Sequence, residues 1–319
     1  MSLAGTVIEL REVTKTFGTT RAIDAVSLGI DRSEFIVLIG PSGSGKSTLL
    51  KMINRLVEHD SGMVLFQGEE IRSFKPEDIR RRMGYAIQSI GLFPHWSVAR
   101  NVGTVPALLG WTKARIAARV DELLALLGLE PAQYRDRRPH ELSGGQQQRI
   151  GVARALAADP EVLLMDEPFG ALDPITRQAL QQATARIHQA SGKTIVMVTH
   201  DIDEALRLAT RIVLLDHGRI VQDAAPAHLL AAPANDFVRE FIGRGDVGLK
   251  LLGLETVGAR MRPHESIEGA EGKALLATQS LREALSAFVE QRSERLPVVD
   301  AEGHPLGAIH FADLLKPSQ

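Results

Sequence analysis

A glycine-rich loop between a buried strand and a helix constrains this chain more than any other feature of its sequence. Residues 35–39 are a continuous apolar run that predicts a strand, residues 40–47 read GPSGSGKS, and a helical pattern follows over 47–57. Glycines let backbone N–H groups curl around phosphate oxygens, while Lys46 supplies a cation and Ser47 an Mg²⁺ ligand. The loop therefore predicts a nucleotide phosphate site. The alternative is an ordinary glycine-rich turn at a helix start.

A second apolar run ends in two carboxylates. Residues 162–165 predict a buried strand, and Asp166 and Glu167 follow it directly. Beside a phosphate loop, the first carboxylate is suited to holding Mg²⁺ through water, and the second to polarising the water that attacks a γ-phosphate. Taken alone, two acidic residues at a strand end are also typical of a solvated turn, so that reading stays open.

Another glycine-rich helix start lies upstream of this strand. Residues 142–149 read LSGGQQQR, which predicts a second anion site because the first N–H groups of a helix point outward. One γ-phosphate cannot easily use both sites of a single chain. We therefore expect two copies of the chain to share each nucleotide.

Runs typical of strands and helices alternate through much of the chain. The first 35 residues favour β-structure, residues 98–129 and 177–189 favour helices, and residues 194–198 favour a strand. Alternation of this kind predicts a parallel sheet covered by helices. Residues 211–221 predict a hairpin.

The composition excludes several classes of protein. The chain has 319 residues, enough for two domains, and a formal net charge of −2, without the basic surplus expected of a nucleic-acid-binding protein. It has no cysteine, which excludes thiol catalysis, zinc–thiolate sites and disulfides. Neither a signal-peptide layout nor an apolar run near the roughly 20 residues of a membrane helix is visible. We expect a protein that binds no nucleic acid and that serves a membrane, if any, from the water side.

In their order, these motifs resemble those of ATP-binding cassette (ABC) ATPases, over residues 3–242. The resemblance implies an α/β fold of the P-loop NTPase class, with a mixed core sheet flanked by helices, an antiparallel β subdomain and a helical signature subdomain. It implies ATP and Mg²⁺ as ligands and a homodimer that hydrolyses ATP. Because no motif is degenerate, two competent sites are expected.

The resemblance also implies roles for single residues. Gln88 matches the Q-loop glutamine that touches Mg²⁺ and the attacking water, and His200 matches the switch histidine that hydrogen-bonds the γ-phosphate. Phe17 matches an adenine-stacking aromatic, and Asp173 matches a D-loop residue that works across the dimer. Core packing for Phe17 and a structural role for His200 are the alternatives. The implied catalytic residues are Glu167, His200 and Gln88, and the implied metal ligands are Ser47, Gln88 and Asp166. The implied nucleotide-binding residues are Phe17, Gly40, Ser42, Gly43, Gly45, Lys46, Ser47, Thr48, Ser143, Gly145, Gln146 and Asp173.

Residues 88–98 are unusually apolar for a loop. In transporters of this family that surface receives a coupling helix of the membrane subunit, so the resemblance implies docking of permease subunits near the Q-loop. It places the chain peripherally on the cytoplasmic face of the inner (plasma) membrane, with a substrate-binding protein as an indirect partner. The alternative is packing between two lobes. The arginines at 80–82 indicate a solvated helix face.

The tail resembles a CBS domain, the module named after cystathionine β-synthase. The resemblance rests on residues 280–285, 296–300 and 307–314, with 257–262 as a diverged start. The glycine cluster at 243–248 predicts a linker over 243–250, which leaves a small α+β tail over 251–319 as a regulatory domain. Only one CBS motif is visible, so pairing is expected across the dimer. His310 replaces the usual Thr or Ser, and Asp313 is a candidate ribose contact.

A cassette with a CBS tail resembles the ATP-binding subunits of importers for osmoprotectants such as glycine betaine, choline and other quaternary amines. Residues 51–62, 173–177 and 201–208 also resemble that subfamily. An importer of the same build for another solute, such as methionine or a sulfonate, is an alternative because the solute never touches this subunit. A soluble ABC ATPase of DNA repair or ribosomes fits poorly, since the chain holds one cassette without a long coiled-coil insertion. A purely structural tail also stays open.

Overall fold

The computed structural model describes residues 5–87, 91–170, 172–243, 245–265 and 272–316. The chain divides into two compact units, Met1–Ala225 and Pro226–Gln319. The strands are β1 (Thr6–Phe17), β2 (Thr20–Asp31), β3 (Phe35–Ile39), β4 (Ser61–Phe66), β5 (Glu69–Glu70), β6 (Met83–Ala86), β7 (Val162–Asp166), β8 (Thr194–Val198), β9 (Arg211–Asp216), β10 (Arg219–Ala224), β11 (Arg262–Pro263), β12 (Leu275–Leu276), β13 (Arg295–Val299) and β14 (Pro305–His310).

Helices cover the strands of both units. They are α1 (Lys46–Ile53), α2 (Pro76–Arg82), α3 (Val98–Val102), α4 (Thr104–Leu108), α5 (Lys113–Leu126), α6 (Pro131–Tyr134), α7 (Gly144–Leu156), α8 (Pro174–Ser191), α9 (Ile202–Leu208), α10 (Pro226–Ala231), α11 (Asp236–Ile242), α12 (Val247–Leu254), α13 (Val257–Arg260) and α14 (Leu281–Gln291), with 3₁₀ turns at Ile71–Ser73, Pro139–Glu141 and Phe311–Leu315. Among the residues described, no helix combines the length and apolar character that crossing a bilayer requires.

The first unit is built on a six-stranded sheet in the order β10-β9-β3-β8-β7-β6. Pairing is parallel from β9 to β6, and β10 adds an antiparallel edge. The central strands β3, β7 and β8 are buried along their whole length, as their continuous apolar sequences predict. Because carboxyl ends of parallel strands meet at one edge, the segments after these three strands come together there.

A separate antiparallel sheet in the order β2-β1-β4-β5 completes the β-structure of this unit. Its buried Ile8 and Ile30 belong to the same apolar cluster as Leu38 of β3 and Leu49 of α1. The helices α3 to α7 follow β6 in the chain and precede β7. The mixed sheet, antiparallel subdomain and helical segment confirm the predicted cassette fold, although the short β6 is absent from the sequence prediction.

The second unit has its own four-stranded sheet in the order β11-β14-β13-β12. Leu281 and Phe288 of α14 pack with Leu296 and Ile309 of the sheet to form its core. The α14 helix spans eleven residues, and the chain continues after β14 as a 3₁₀ turn, so the second unit has the small α+β composition expected of the tail.

The structure describes residues 243 and 245–250 of the segment predicted as a linker. Its described residues lie inside the second unit, and α12 occupies its second half. Lys250 is buried and ties the segment together, donating to the Ile242 carbonyl at 2.6 Å and to Asp246 Oδ1 at 2.8 Å. Glycine spacing alone did not show this anchor. The bounds 3–242 and 251–319 stay predictions.

Candidate active site

The loop after β3 has a backbone that only glycine fits at two positions. Gly40 and Gly45 have φ values of +145° and +103°. A Cβ would lie 2.1 Å from the Leu215 carbonyl oxygen at Gly40, and 2.4 Å from the Ala22 carbonyl oxygen at Gly45. Such approaches exclude every side chain, so the glycines set the path of the loop between β3 and α1.

Lys46, the first residue of α1, is a buried cation without a carboxylate partner among the described residues. Its Nζ donates to the carbonyl oxygens of Gly40 and Pro41, both at 2.8 Å. Burial lowers the pKa of Lys46, while the charges of Glu167 and Asp166 act in the opposite direction. Its charge is thus left available for an anionic ligand.

Asp166, at the end of β7, faces two hydroxyl groups. Ser47 Oγ donates to Asp166 Oδ1 at 2.8 Å, and the Tyr85 hydroxyl donates to Oδ2 at 3.4 Å. Burial, together with the charge of Asp166, raises the pKa of Tyr85. The hydroxyl and carboxylate oxygens of Ser47 and Asp166 are the donors that Mg²⁺ prefers, so these two residues fit the metal that the sequence implies.

Glu167 and His200 form a contacting pair of side chains at the site. Glu167 Oε1 lies 3.3 Å from His200 Nδ1, and the His200 side chain is 65% exposed. The backbone of Glu167 has φ +45°, in the left-handed region, while its N–H donates to the Val198 carbonyl of β8 at 3.0 Å. Strained backbone of this kind clusters at functional sites.

These groups surround one open cleft of about 500 Å³. It is lined by Ala22, Ser42, Gly43, Gly45, Lys46, Ser47, Thr48, Glu167 and His200. Asp166 reaches the cleft through Ser47, and Gly40 begins the loop that forms its wall. The structure therefore brings together the predicted phosphate, metal and catalytic residues that it describes.

Other predicted residues lie elsewhere in the first unit. Phe17 is half exposed at the end of β1, with Lys15 Nζ 5.3 Å from the centre of its ring, and it does not line the cleft. The positions of Gln88 and of Ala171, the first D-loop residue, lie outside the described residues.

A second group of predicted residues does not line the cleft. It consists of the signature group, which is Ser143, Gly145 and Gln146 from the second glycine-rich helix start, and of the D-loop residue Asp173. Ser143 caps α7 and forms a reciprocal capping box with Gln146. Asp173 caps α8 by accepting from the Thr176 N–H at 3.0 Å, and hydrogen bonding from the Thr176 side chain, with that N–H, lowers the pKa of Asp173. A Cβ at Gly145 would lie 2.7 Å from Thr176 Cγ2, which shows how closely the starts of α7 and α8 approach.

In the tail, Asp313 serves the fold and is not open to a ribose. It is completely buried, and Arg262 donates to both of its oxygens at 3.1 Å. Lys316 Nζ lies 2.6 Å from Oδ1, and the His310 N–H donates to Oδ2. Burial raises the pKa of Asp313, but these hydrogen bonds outweigh it and lower the pKa to about 2. The ribose contact suggested by the sequence is therefore wrong for this arrangement.

Sequence reasoning missed two residues near the site, Tyr85 and Glu204. Tyr85 lies on β6, and the parallel pairing of β6 with β7 places it near Asp166. Glu204 lies on α9, four residues after His200, where it reads as an ordinary helix residue. The acidic first turn of α9 was the only available signal for it.

Known families match both units. The ABC transporter model matches residues 23–170, and the CBS domain model matches residues 274–318. The chain is 61% identical over 309 residues to the glycine betaine uptake system ATP-binding protein YehX of Escherichia coli, covering 97% of this chain and 99% of that protein. It is 46% identical over 297 residues to the glycine betaine/carnitine/choline transport ATP-binding protein OpuCA of Bacillus subtilis, covering 93% of this chain and 76% of that protein.

Among solved structures, the cassette is similar to a dimeric ATP-binding cassette in a post-hydrolysis state bound to ADP and Pi. The TM-score is 0.63 at 33% identity, over 69% of this chain and 98% of the other. A second dimeric structure, of a bacterial ABC transporter cassette, gives a TM-score of 0.63 at 35% identity over the same shares. Fold, cleft and relatives agree: the chain belongs to the ABC transporter ATP-binding proteins, ATPases of the ABC family, and carries a CBS domain.

Proposed function

We propose that this chain is the subunit that hydrolyses ATP to power an importer of osmoprotectants of the quaternary amine class, such as glycine betaine or choline. The observation that carries the proposal is the cleft itself, in which Lys46, the Ser47–Asp166 pair and the Glu167–His200 pair converge. The names and high identity of the relatives support the solute class.

In the proposed reaction, Lys46 and the glycine-loop N–H groups bind the β- and γ-phosphates. Ser47 and Asp166 would hold Mg²⁺, with Gln88, and the ion would neutralise charge on the phosphates. Glu167 orients a water molecule, whose oxygen attacks the γ-phosphorus as the bond to the bridging oxygen of ADP breaks. The proton of the water passes to the Glu167 carboxylate and from there to solvent. His200 donates a hydrogen bond to the γ-phosphate oxygens, and inorganic phosphate leaves.

A homodimer is part of the proposal because the signature group does not line its own chain's cleft. The capped start of α7, with Ser143, Gly145 and Gln146, is exposed or half-exposed and offers N–H groups to an anion. We place it over the nucleotide of a second protomer, with Asp173 at the same junction. Phe17 would stack on the adenine, since its ring is half exposed on the first β-hairpin.

Permease subunits would dock beside the segment 88–98, at the cytoplasmic face of the membrane. In its described part, Phe93 and Trp96 stack with ring centres 4.3 Å apart, and Phe93 is 45% exposed. Buried Asn101 holds this turn by donating to both of their carbonyl oxygens, at 3.1 and 3.2 Å. An aromatic pair with one exposed and one half-buried ring is suited to receive a partner's helix.

Replacing Glu167 with Gln tests the catalytic assignment. We expect the variant to bind ATP with unchanged affinity and to lose turnover, because the amide cannot polarise water as the carboxylate does. It should also accumulate as an ATP-bound dimer in size-exclusion chromatography. Glu161→Gln is the matched control, because Glu161 directly precedes β7 and Glu167 directly follows it. Normal turnover by the Glu167→Gln protein would overturn the assignment.

Uptake of labelled glycine betaine tests the solute class. Vesicles should contain the full-length chain, its permease and its binding protein, and uptake should require ATP inside and vanish with Glu167→Gln. The solute class would be refuted if the vesicles hydrolysed ATP and took up methionine or a sulfonate but no quaternary amine. The role of the chain as the ATP-hydrolysing subunit of an importer would still stand.

A further inference from the structure

One buried carboxylate near the cleft has no part in the phosphate chemistry. Glu204 of α9 is 6% exposed. Its Oε2 accepts from the Thr199 hydroxyl at 2.7 Å, and its Oε1 accepts from the Gln181 amide at 3.2 Å. Burial disfavours the charged form of the group and raises the pKa of Glu204. A buried carboxylate is not favoured by stability alone. The groups that Glu204 connects therefore indicate its role.

On one side, Glu204 holds the backbone around His200. Thr199 is buried directly before the histidine, and its hydroxyl, which donates to Glu204, accepts from the Asp201 N–H at 3.1 Å. Asp201 Oδ1 in turn accepts from the Glu204 N–H at 3.2 Å. The residues before and after His200 are thus joined to Glu204. Because the His200 side chain itself is largely exposed, its position depends on this backbone.

On the other side, Glu204 reaches the start of α8. Arg177 Nε lies 4.0 Å from Glu204 Oε1, and Arg177 donates to the Leu172 carbonyl at 3.2 Å. Leu172 directly precedes Asp173, the residue that caps α8. Gln181, the other partner of Glu204, lies about one turn after Arg177 on the same helix. One carboxylate therefore connects the switch-histidine segment with the D-loop.

We propose that Glu204 is a positioning residue for ATP hydrolysis, which holds His200 in register with the D-loop at the start of α8. This inference rests on the roles proposed for His200 and Asp173. Small misplacements of a group that contacts the reacting phosphate cost up to about 100-fold in rate. Without the Glu204 link, His200 would sample positions away from the γ-phosphate. ATP binding would be spared, because Lys46 and the glycine loop do not contact Glu204.

Steady-state and single-turnover ATPase assays on the full-length protein test the proposal. We expect Glu204→Ala to lower kcat by about 10- to 100-fold with KM changed less than about threefold. Thr199→Val, which removes the same hydrogen bond from the other partner, should give a loss of similar size. Glu204→Gln should recover part of the activity, since its amide oxygen still accepts from Thr199 while its NH₂ group opposes that of Gln181.

A double-mutant cycle separates positioning from general damage. If Glu204 acts through His200, Glu204→Ala should change kcat by less than about twofold in a His200→Ala background. The matched control is Thr184→Ala, which removes a buried hydroxyl bonded to the Leu180 carbonyl on the same α8 helix and should leave kcat unchanged.

The other outcomes each overturn a different statement. The positioning role would be refuted if the loss of kcat in the double variant equalled the product of the two single losses. It would also be refuted if Glu204→Ala kept its kcat while His200→Ala lost most of its activity. Either result would leave the proposed active site unchanged. Normal kcat in His200→Ala would refute the role of His200 itself, and the Glu204 proposal with it. If Glu204→Ala does not fold, Glu204→Gln and Thr199→Val carry the same cycle.

Discussion

Two buried aspartates, one in each unit, have opposite surroundings. Asp166 of the cassette meets only the hydroxyls of Ser47 and Tyr85 among the described residues, and the nearby cation Lys46 donates to backbone carbonyls. Asp313 of the tail is in direct contact with two cations, Arg262 and Lys316. The cleft of the cassette therefore keeps the charges of Asp166 and Lys46 apart, whereas the tail pairs the charge of Asp313 with two cations.

The difference separates a binding site from a structural one. Separated buried charges are costly in the empty protein and become favourable when a ligand of complementary charge arrives. Paired and hydrogen-bonded charges are already satisfied, so removing one partner costs stability directly. Mutations of Lys46 should therefore change ligand binding, and mutations of Asp313 should change folding.

The largest expected effect comes from Lys46→Met, which keeps the apolar stem and removes the charge. ATP affinity should fall by about 100-fold or more, because a charge-assisted contact to two phosphates is lost. The free energy of unfolding of the empty protein should change by less than about 1 kcal/mol, because the loss of the two hydrogen bonds to the Gly40 and Pro41 carbonyls is offset by the removal of a buried charge that has no ionic partner. Titration with a fluorescent ATP analogue and urea denaturation measure the two quantities.

Lys51→Met on the exposed side of the same helix is the control and should bind ATP normally. If the Lys46→Met protein bound ATP with native affinity, the charge of Lys46 would not be part of the phosphate-binding site.

A smaller effect, on stability alone, is expected for Asp313→Asn. The pKa of Asp313 is lowered to about 2 in the folded tail, so its contribution is present above the unfolded pKa near 4 and is lost as pH falls toward 2. At pH 7 the variant should lose about 2 kcal/mol of tail stability, and the difference from the parent should vanish near pH 2.

Amide hydrogen exchange of β13 and β14 measures this loss, because both tryptophans, Trp96 and Trp111, lie in the first unit and do not report on the tail. Glu302→Gln, an exposed tail acid, is the control. ATP hydrolysis should be unchanged in both variants. Equal protection at pH 7 would show that the paired cluster contributes nothing to folding.

The same comparison explains what the sequence could predict. Local patterns were sufficient for β3, β7 and β8, because burial and glycine spacing act within a few residues of the chain. The partners of Asp313 and Glu204 depend on tertiary packing: Arg262 lies 51 positions before Asp313. No local pattern distinguishes an aspartate that will meet an arginine from one that will meet a ligand, which is why Asp313 was misread.

The smallest effect is expected from removing the tail. The described residues of the cleft all precede Pro226, and the first unit has its own core, so chains ending after Ala225 and after Ile242 should both hydrolyse ATP within about twofold of the parent. The pair of truncations also tests the predicted cassette end at 242, since only one of them interrupts the second compact unit. Equal activity of the shorter chain would assign α10 and α11 to the tail. A shorter chain that does not fold, beside an active longer one, would contradict this expectation and support the boundary at 242.

A salt series then tests whether the tail regulates transport. Arg282, Glu290, Arg292 and Glu294 are exposed, and the Debye length shrinks from about 10 to about 3 Å between 0.1 and 1 M salt. Contacts of these charges with a second tail or with the membrane surface would weaken over that range, whereas the buried Asp313 cluster would be screened far less. Solute uptake by vesicles should therefore respond to salt with the full-length chain and lose this response with the active truncation. Superimposable curves would contradict a regulatory role and leave the tail as a structural support, because a surface charge that matters must be sensitive to screening.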